Sequence, residues 1–188
     1  RRYFLLEEKI IIATLEEMKI HSVRFTMEDL TRRLRISKSS LYKIVTSKEQ
    51  LIHAAIDYLM AEFQRESDAV RGENFPLEEK MRHFIRAYTR AFRYFEHGIY
   101  SDLKTLYPKE WERWEKFRLQ KIENLLTILK FGINDGVFRP VNTAVLQRCL
   151  LVMSESLTDE NFLTENNLTY SQAIESMCDL IFNGFLEK

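Results

Sequence analysis

The chain has 188 residues, with 28 Lys/Arg balanced by 28 Asp/Glu, 45% hydrophobic and 12% aromatic residues, and only five glycines and three prolines. This is enough apolar material for one large helical domain or a small domain on a larger one, and too few turn formers for a β-sandwich, a barrel or a Gly-rich phosphate loop. No apolar run approaches the ~20 residues of a membrane span, so no membrane partner is expected; Cys149 and Cys178 lie outside any CxxC or Cys/His cluster, which points to reduced thiols in a cytoplasmic protein and to no metal or other cofactor.

In chain order nearly every segment reads as helix. A first helix spans about Phe4 to Lys19, with Leu5, Ile11, Ile12, Leu15 and Met18 apolar. A short one runs from Met27 to about Leu34, with Thr26 and Asp29 close to a capping-box spacing. The connection Arg35-Ile36-Ser37 leads to a second short helix, from Lys38 to about Val45, capped by Ser37. Ser47 and Gln50 form an S-x-x-Q box that starts a helix at Lys48 and carries it to about Val70. Residues 71–76 break the pattern. Leu77, Met81, Phe84, Ile85, Tyr88, Phe92 and Phe95 then recur at helical steps up to Gly98. A short segment, Tyr100 to Leu106, precedes Pro108, which opens a long helix ending at Asn134-Asp135-Gly136. Asn142-Thr143 introduces another helix to Leu157, a polar loop follows from Thr158 to Thr169, and a last helix occupies about 170–187. The expected fold is all-α, about nine helices, with three short helices at the front (residues 1–50) and a helical bundle behind them (residues 51–188).

The balanced net charge hides an asymmetry. Residues 1–50 carry eleven Lys/Arg and seven Asp/Glu, so the remainder carries the compensating acid. Between Ile20 and Lys48 there are seven basic residues and only Glu28 and Asp29. Such a patch reads either as a solvated helix face or as an electrostatic footprint for nucleic acid. The two short helices decide in favour of the second, because their tight connection is a helix-turn-helix spacing. At about 100° per residue, Leu41 and Val45 fall on one side of the second helix, where Leu30, Leu34 and Ile36 can receive them. Ser39, Ser40 and Lys43 fall on the other, where hydroxyls and an ammonium suit base edges and phosphates. Tyr42 lies on the border, its hydroxyl placed for a phosphate. Lys48 adds its charge to the open N–H groups of a helix start.

Residues 10–55 resemble the N-terminal domain of the tetracycline-repressor (TetR) family of transcription regulators. The resemblance is carried by Thr26-Met27-Glu28-Asp29-Leu30, Ser37-Lys38-Ser39-Ser40-Leu41-Tyr42 and Ser47-Lys48-Glu49-Gln50-Leu51, at the family's spacing. It implies that Thr26 binds phosphate, that Lys38, Ser39 and Ser40 face the groove, and that Tyr42 and Lys48 clamp phosphates. Three departures stand out. Ile44 occupies a position where the family often has a phosphate-binding His, Arg35 one usually filled by Gly, and the family's other customary Gly is missing from Lys19-Ile20-His21-Ser22. Val45 and Thr31 replace a Phe and an Ala.

For the back half the resemblance implies a bundle that binds a small inducer and dimerises through its last two helices, here about 142–157 and 170–187. The expected protein is thus a homodimeric repressor on a palindromic double-stranded DNA operator, released by a small hydrophobic or aromatic ligand. The alternative is a DNA-binding protein of the same fold whose bundle serves only dimerisation or protein partners. Tyr88, Phe92, Trp114 and Phe117 are the ligand-facing candidates, although the same stripe also reads as plain core. Cys149 and Cys178 are expected to be buried small hydrophobes. His21, His53, His83 and His97 have no partners at metal-ligand spacing and read as surface or capping residues. No nucleophile triad, HExxH or framed carboxylate pair points to an enzyme.

Overall fold

The computed structural model describes residues 2–69, 75–95 and 98–183; the side chains of 2–6, 69, 92, 182 and 183 are not included in that description. The described residues form ten α-helices and one short 3-10 turn, with no strand: α1 (Arg2–His21), the 3-10 turn Ser22–Arg24, α2 (Met27–Leu34), α3 (Lys38–Tyr42), α4 (Lys48–Ala69), α5 (Leu77–Phe92), α6 (Ile99–Leu106), α7 (Pro108–Asn134), α8 (Thr143–Ser156), α9 (Glu160–Glu165) and α10 (Tyr170–Asn183). No described helix is long and apolar enough to cross a membrane. The helices fall into two compact units, residues 1–61 with 94–114, and residues 62–93 with 115–188.

In the first unit, Ile10 and Ala13 of α1, Leu30 of α2, Leu41 of α3, Leu51 of α4 and Val45 from the α3–α4 connection make one buried cluster, with Met27, Leu34, Ile36 and Ile44 packed around it. The unit's other aromatic centre is Phe95 stacked on Trp114 at 4.5 Å, with Tyr100 tilted against Phe95 at 5.3 Å. That stack explains why α5 ends at Phe92, short of the Gly98 that periodicity predicts. Tyr94 and Phe95 leave the helix and are buried in the first unit. Gly98 begins α6 instead of ending α5, in the left-handed region at φ 67°. Hydrophobic spacing alone cannot tell a helix from a short irregular run of buried aromatics. His97 and the 71–74 break lie outside the described residues. His53 is bound to Glu110 on α7 at 2.8 Å, a pairing that no local spacing reveals.

In the second unit Phe63 of α4 is the hub. Phe84, Tyr88 and Phe117 meet its ring edge-to-face at 5.3, 6.3 and 5.5 Å, a favoured aromatic geometry. Arg118, only 3% exposed, is bound by Glu115 and by the Ser154 hydroxyl at 3.0 Å, and the Tyr170 hydroxyl donates to the Ser154 carbonyl at 3.2 Å. Within the expected polar loop, Asp159 accepts from the Phe162 N–H at 3.0 Å and so starts the six-residue α9, which accounts for the tenth helix. Cys149 is exposed on α8, not buried as expected, because helix α8 turns it outward with Val145 and Val152. Cys178 is largely enclosed, and that burial pushes its thiol pKa up to about 12.

The stretch Phe131–Pro140 closes α7. The Val137 and Phe138 N–H groups both return to the Gly132 carbonyl, at 2.8 and 3.0 Å, and Gly136 takes φ 73°. Phe138, 2% exposed, lies flat against Gly132, so that a Cβ there would sit 2.0 Å from the ring. Gly132→Ala is therefore expected to lower unfolding stability by about 1–3 kcal/mol through overpacking, measured by urea denaturation; an unchanged midpoint would show that the ring relaxes without cost.

Candidate nucleic-acid interface

Helix α3 has only five residues, and a helix this short is not stable by itself. Two features hold it. Leu41 is fully buried and Val45 nearly so, both in the cluster with Leu30. Ser37 caps it, its Oγ accepting from the Ser40 N–H at 3.1 Å while lying 2.9 Å from the Ser39 and Ser40 hydroxyls. α3 ends at Tyr42, three residues earlier than the spacing predicts, but the Val45 N–H still reaches the Leu41 carbonyl at 3.0 Å, which keeps Val45 on the inward side.

The turn before α3 is a Schellman closure of α2. The Arg35 N–H returns to the Arg32 carbonyl at 3.3 Å and the Ile36 N–H to the Thr31 carbonyl at 3.2 Å. It requires a left-handed residue, and Arg35 supplies it at φ 54°, ψ 42°. Ser22, in the loop where the other customary glycine is missing, is also left-handed at φ 55°. At both positions this chain keeps the backbone conformation and forgoes the residue that adopts it most easily.

At the start of α2 the capping box is complete: the Asp29 N–H donates to Thr26 Oγ1 at 3.1 Å, and the Thr26 N–H donates to Asp29 Oδ2 at 2.8 Å. The Thr26 hydroxyl also donates to Asp29 Oδ2, at 2.7 Å. These bonds hold the Asp29 carboxyl below the usual carboxylate range. At α4 only half of the expected box forms. Ser47 Oγ accepts from the Gln50 N–H at 3.1 Å, but the Gln50 side chain reaches one residue further back, to the Thr46 N–H at 2.7 Å. Thr31, 8% exposed, satisfies its hydroxyl on the Glu28 carbonyl at 2.9 Å.

Ion pairing thins the basic patch. Arg24 makes a two-pronged bond to Asp102 of α6, at 2.9 and 2.7 Å. Arg33 pairs with the buried Glu17 at 2.5 Å, and Arg32 with Asp29 at 3.4 Å. Arg35, Lys38 and Lys43 are exposed and enter no ion pair among the described residues. Lys38 opens α3 while Arg35 and Lys43 lie just before and after it, on either side of the exposed Ser39 and Ser40. Tyr42 is 49% exposed at the end of the same helix. Lys48 is half-buried with its ammonium 4.7 Å from the Phe25 ring centre, and that burial lowers its pKa. Ile44 packs against the core. Thus Ser37, Lys38, Ser39, Ser40, Tyr42 and Lys43 come together on and beside one short helix, while Thr26 and Lys48 stand at the starts of the two helices around it. Arg35 joins the exposed cations; its place in the turn beside α3 was the available signal.

The second unit contains a cavity of about 300 Å³ lined by Phe63, Gln64 and Ser67 of α4, Leu77, Lys80 and Phe84 of α5, and Lys121, Asn124, Thr127, Ile128 and Phe131 of α7. Tyr88 borders a smaller one of about 30 Å³. Phe117 packs on Phe63, Trp114 is fully buried on Phe95 in the first unit, and the Phe92 side chain lies outside the described residues. Sequence spacing singled out large aromatics on α5 and α7 and passed over Lys121, since nothing local distinguishes a buried lysine from a solvated one.

With a capped, tightly turned helix pair after α1 and a helical bundle behind it, the described residues have the fold of the TetR-family transcriptional regulators. The crystal structure of the TetR-family regulator PfmR from Thermus thermophilus superposes with a TM-score of 0.66 at 23% identity, covering 95% of this chain and 99% of that one. A TetR-family regulator from Marinobacter aquaeolei superposes with a TM-score of 0.75 at 15% identity, covering 96% and 91%. In sequence, the chain is 23% identical over 180 residues to YvaF, an uncharacterized HTH-type transcriptional regulator of Bacillus subtilis, covering 95% of both chains. No protein-family model matches the chain.

The left-handed Arg35 yields a stability prediction. Arg35→Gly should raise unfolding stability by up to about 1 kcal/mol, the left-handed penalty less the extra chain entropy of glycine. Urea titration checks it, and a loss of stability would mean that the Arg35 side chain contributes more than its backbone conformation costs.

Proposed function

We propose that the chain is a DNA-binding transcription regulator, a cytoplasmic repressor that binds a palindromic operator as a homodimer and is released by a small-molecule inducer. The carrying observation is α3 with its two flanks, where Arg35, Lys38 and Lys43 stand exposed and without ion pairs among the described residues, beside the Ser39 and Ser40 hydroxyls. α3 would enter the major groove N-terminus first. Lys38, Ser39 and Ser40 would read base edges, with Ser37 holding their helix start in place. Lys43, Tyr42 and Lys48 would bind phosphates, Lys48 from its seat over Phe25. Thr26 would bind a phosphate in exchange for its present bond to Asp29. Ile44, turned into the core, would leave the phosphate contacts to its neighbours.

Two further observations support the remainder of the reading. The outer side of α8 is apolar, with Val145 58%, Val152 46% and Met153 36% exposed, and Leu180 on α10 is 72% exposed. A second copy of the chain would cover these residues together with Cys149, and would double the phosphate contacts. The cavity of about 300 Å³ favours the inducer reading over a bundle that only dimerises.

Selecting the bound sequence from random DNA tests the proposal as a whole; the expected product is a palindrome with half-sites in successive major grooves. On that operator, Tyr42→Phe and Lys43→Ala should weaken binding to all sequences alike, Lys43→Ala also lowering the salt slope by about 1 per phosphate contact removed. Ser39→Ala or Ser40→Ala should instead relax base preference at one position of each half-site. If all four variants bind like the parent, α3 is not the reading helix. The double variant Val152→Asp/Leu180→Asp should sediment as a monomer with an unchanged helical spectrum and lose operator affinity; a dimer that persists would move the interface elsewhere.

A further inference from the structure

Of the three ion-paired arginines in the basic patch, Arg32 is held by a single contact at 3.4 Å within its own helix, and Arg33 lies against the buried Glu17. Arg24 differs from both. Its side chain is 63% exposed, yet its Nε and Nη2 are taken together by the carboxylate of Asp102 on α6, at 2.9 and 2.7 Å. The surroundings of Arg24 are those of a phosphate ligand. It stands two residues before Thr26 and next to Phe25, the ring over which the Lys48 ammonium sits at 4.7 Å. Burial lowers the Lys48 pKa, and the nearby charge of Arg24 lowers it further. Thr26 and Lys48 are the two phosphate ligands proposed above at the helix starts, so Arg24 belongs to the same surface. A guanidinium fork fits a phosphate as well as it fits a carboxylate. Here the carboxylate holds it. The bonds from Arg24 keep the Asp102 carboxyl below the usual carboxylate range, so Asp102 stays ionised near neutral pH.

We propose that the Arg24–Asp102 pair is an autoinhibitory contact: the α6 carboxylate withholds from DNA a guanidinium that would otherwise bind a backbone phosphate beside Lys48. The proposal rests on the DNA-binding reading. Asp102 occupies one edge of the fork, cancels its charge and adds a negative charge where the backbone would approach. A phosphate contact carries no sequence information. Asp102 therefore sets the strength and salt dependence of binding and leaves base preference alone. A shift of α6 that parts the pair raises affinity for every sequence.

The test titrates the full chain with its selected operator and with an unrelated duplex, over a range of salt. Asp102→Asn keeps the shape and frees Arg24. It should bind both duplexes about three-fold or more tightly at low salt, with a salt slope steeper by about 1 per head. The neutral pair Arg24→Gln/Asp102→Asn should match the parent in affinity and slope. Glu28→Gln removes one exposed negative charge from the same patch and frees no cation, so its slope should stay at the parent value. Arg24→Lys keeps the charge but loses the fork, and should move binding in the same direction as Asp102→Asn; it serves where Asp102→Asn fails to fold. The proposal is overturned if Asp102→Asn binds no more tightly than the parent, or if Glu28→Gln steepens the slope equally. It is also overturned if the neutral pair loses affinity and slope, because Arg24 would then already touch phosphate in the parent. A parent that binds no selected duplex removes the regulator reading and this contact together; a parent that binds while Asp102→Asn behaves like it removes the contact alone.

Discussion

The seating of Leu41 is the contact on which the front of this molecule depends. A five-residue helix has too few internal hydrogen bonds to persist, and nothing on the outer face of α3 is apolar enough to anchor it. Leu41, at 0% exposure in the cluster with Ile10, Ala13, Leu30 and Leu51, fixes both the position and the rotation of the helix. Once it is fixed, Ser39, Ser40 and Lys43 have no alternative to facing solvent. The same constraint explains the left-handed Arg35: the chain must reverse within a few residues to bring Leu41 over Leu30, and a Schellman closure of α2 does so in that length. The strain of one non-glycine residue is small beside the burial of a leucine.

Charge in this chain is sorted by partners more than by count. Seven basic residues between Ile20 and Lys48 look equivalent in sequence. Arg24, Arg32 and Arg33 are ion-paired, two of them to Asp102 and Glu17, which are distant in sequence. Those pairs hold α1, the 3-10 turn, α2 and α6 together within the first unit. Of those seven, Arg35, Lys38 and Lys43 enter no ion pair among the described residues and lie in or next to α3, beside the exposed Ser39 and Ser40.

Phe63 and Gly132 show how closely the second unit is packed. Three rings meet Phe63 edge-to-face, and Phe138 uses the missing side chain of Gly132 as its floor. The pocket of about 300 Å³ lies next to this packing, with Phe63 in its wall.

Much of the architecture was legible in the sequence because it is encoded locally. Caps at Thr26, Ser37, Ser47 and Asn142, Pro108 at a helix start, and helical periodicity placed most of the helices, and the helix-turn-helix motif depends on spacings within a few residues. What escaped was decided by contacts between residues far apart. Phe95 left its helix to stack on Trp114, and Cys149 turned outward with Val145 and Val152. The larger cavity is bordered by Gln64, Ser67 and Lys121 as well as by Phe63, Leu77 and Phe84, and Tyr88 borders a smaller one. Short-range hydrogen bonding and side-chain periodicity are properties of a segment and can be read from it. Which cation is neutralised, which aromatic abandons its helix and where a void remains depend on which segments meet, and only the folded chain determines that.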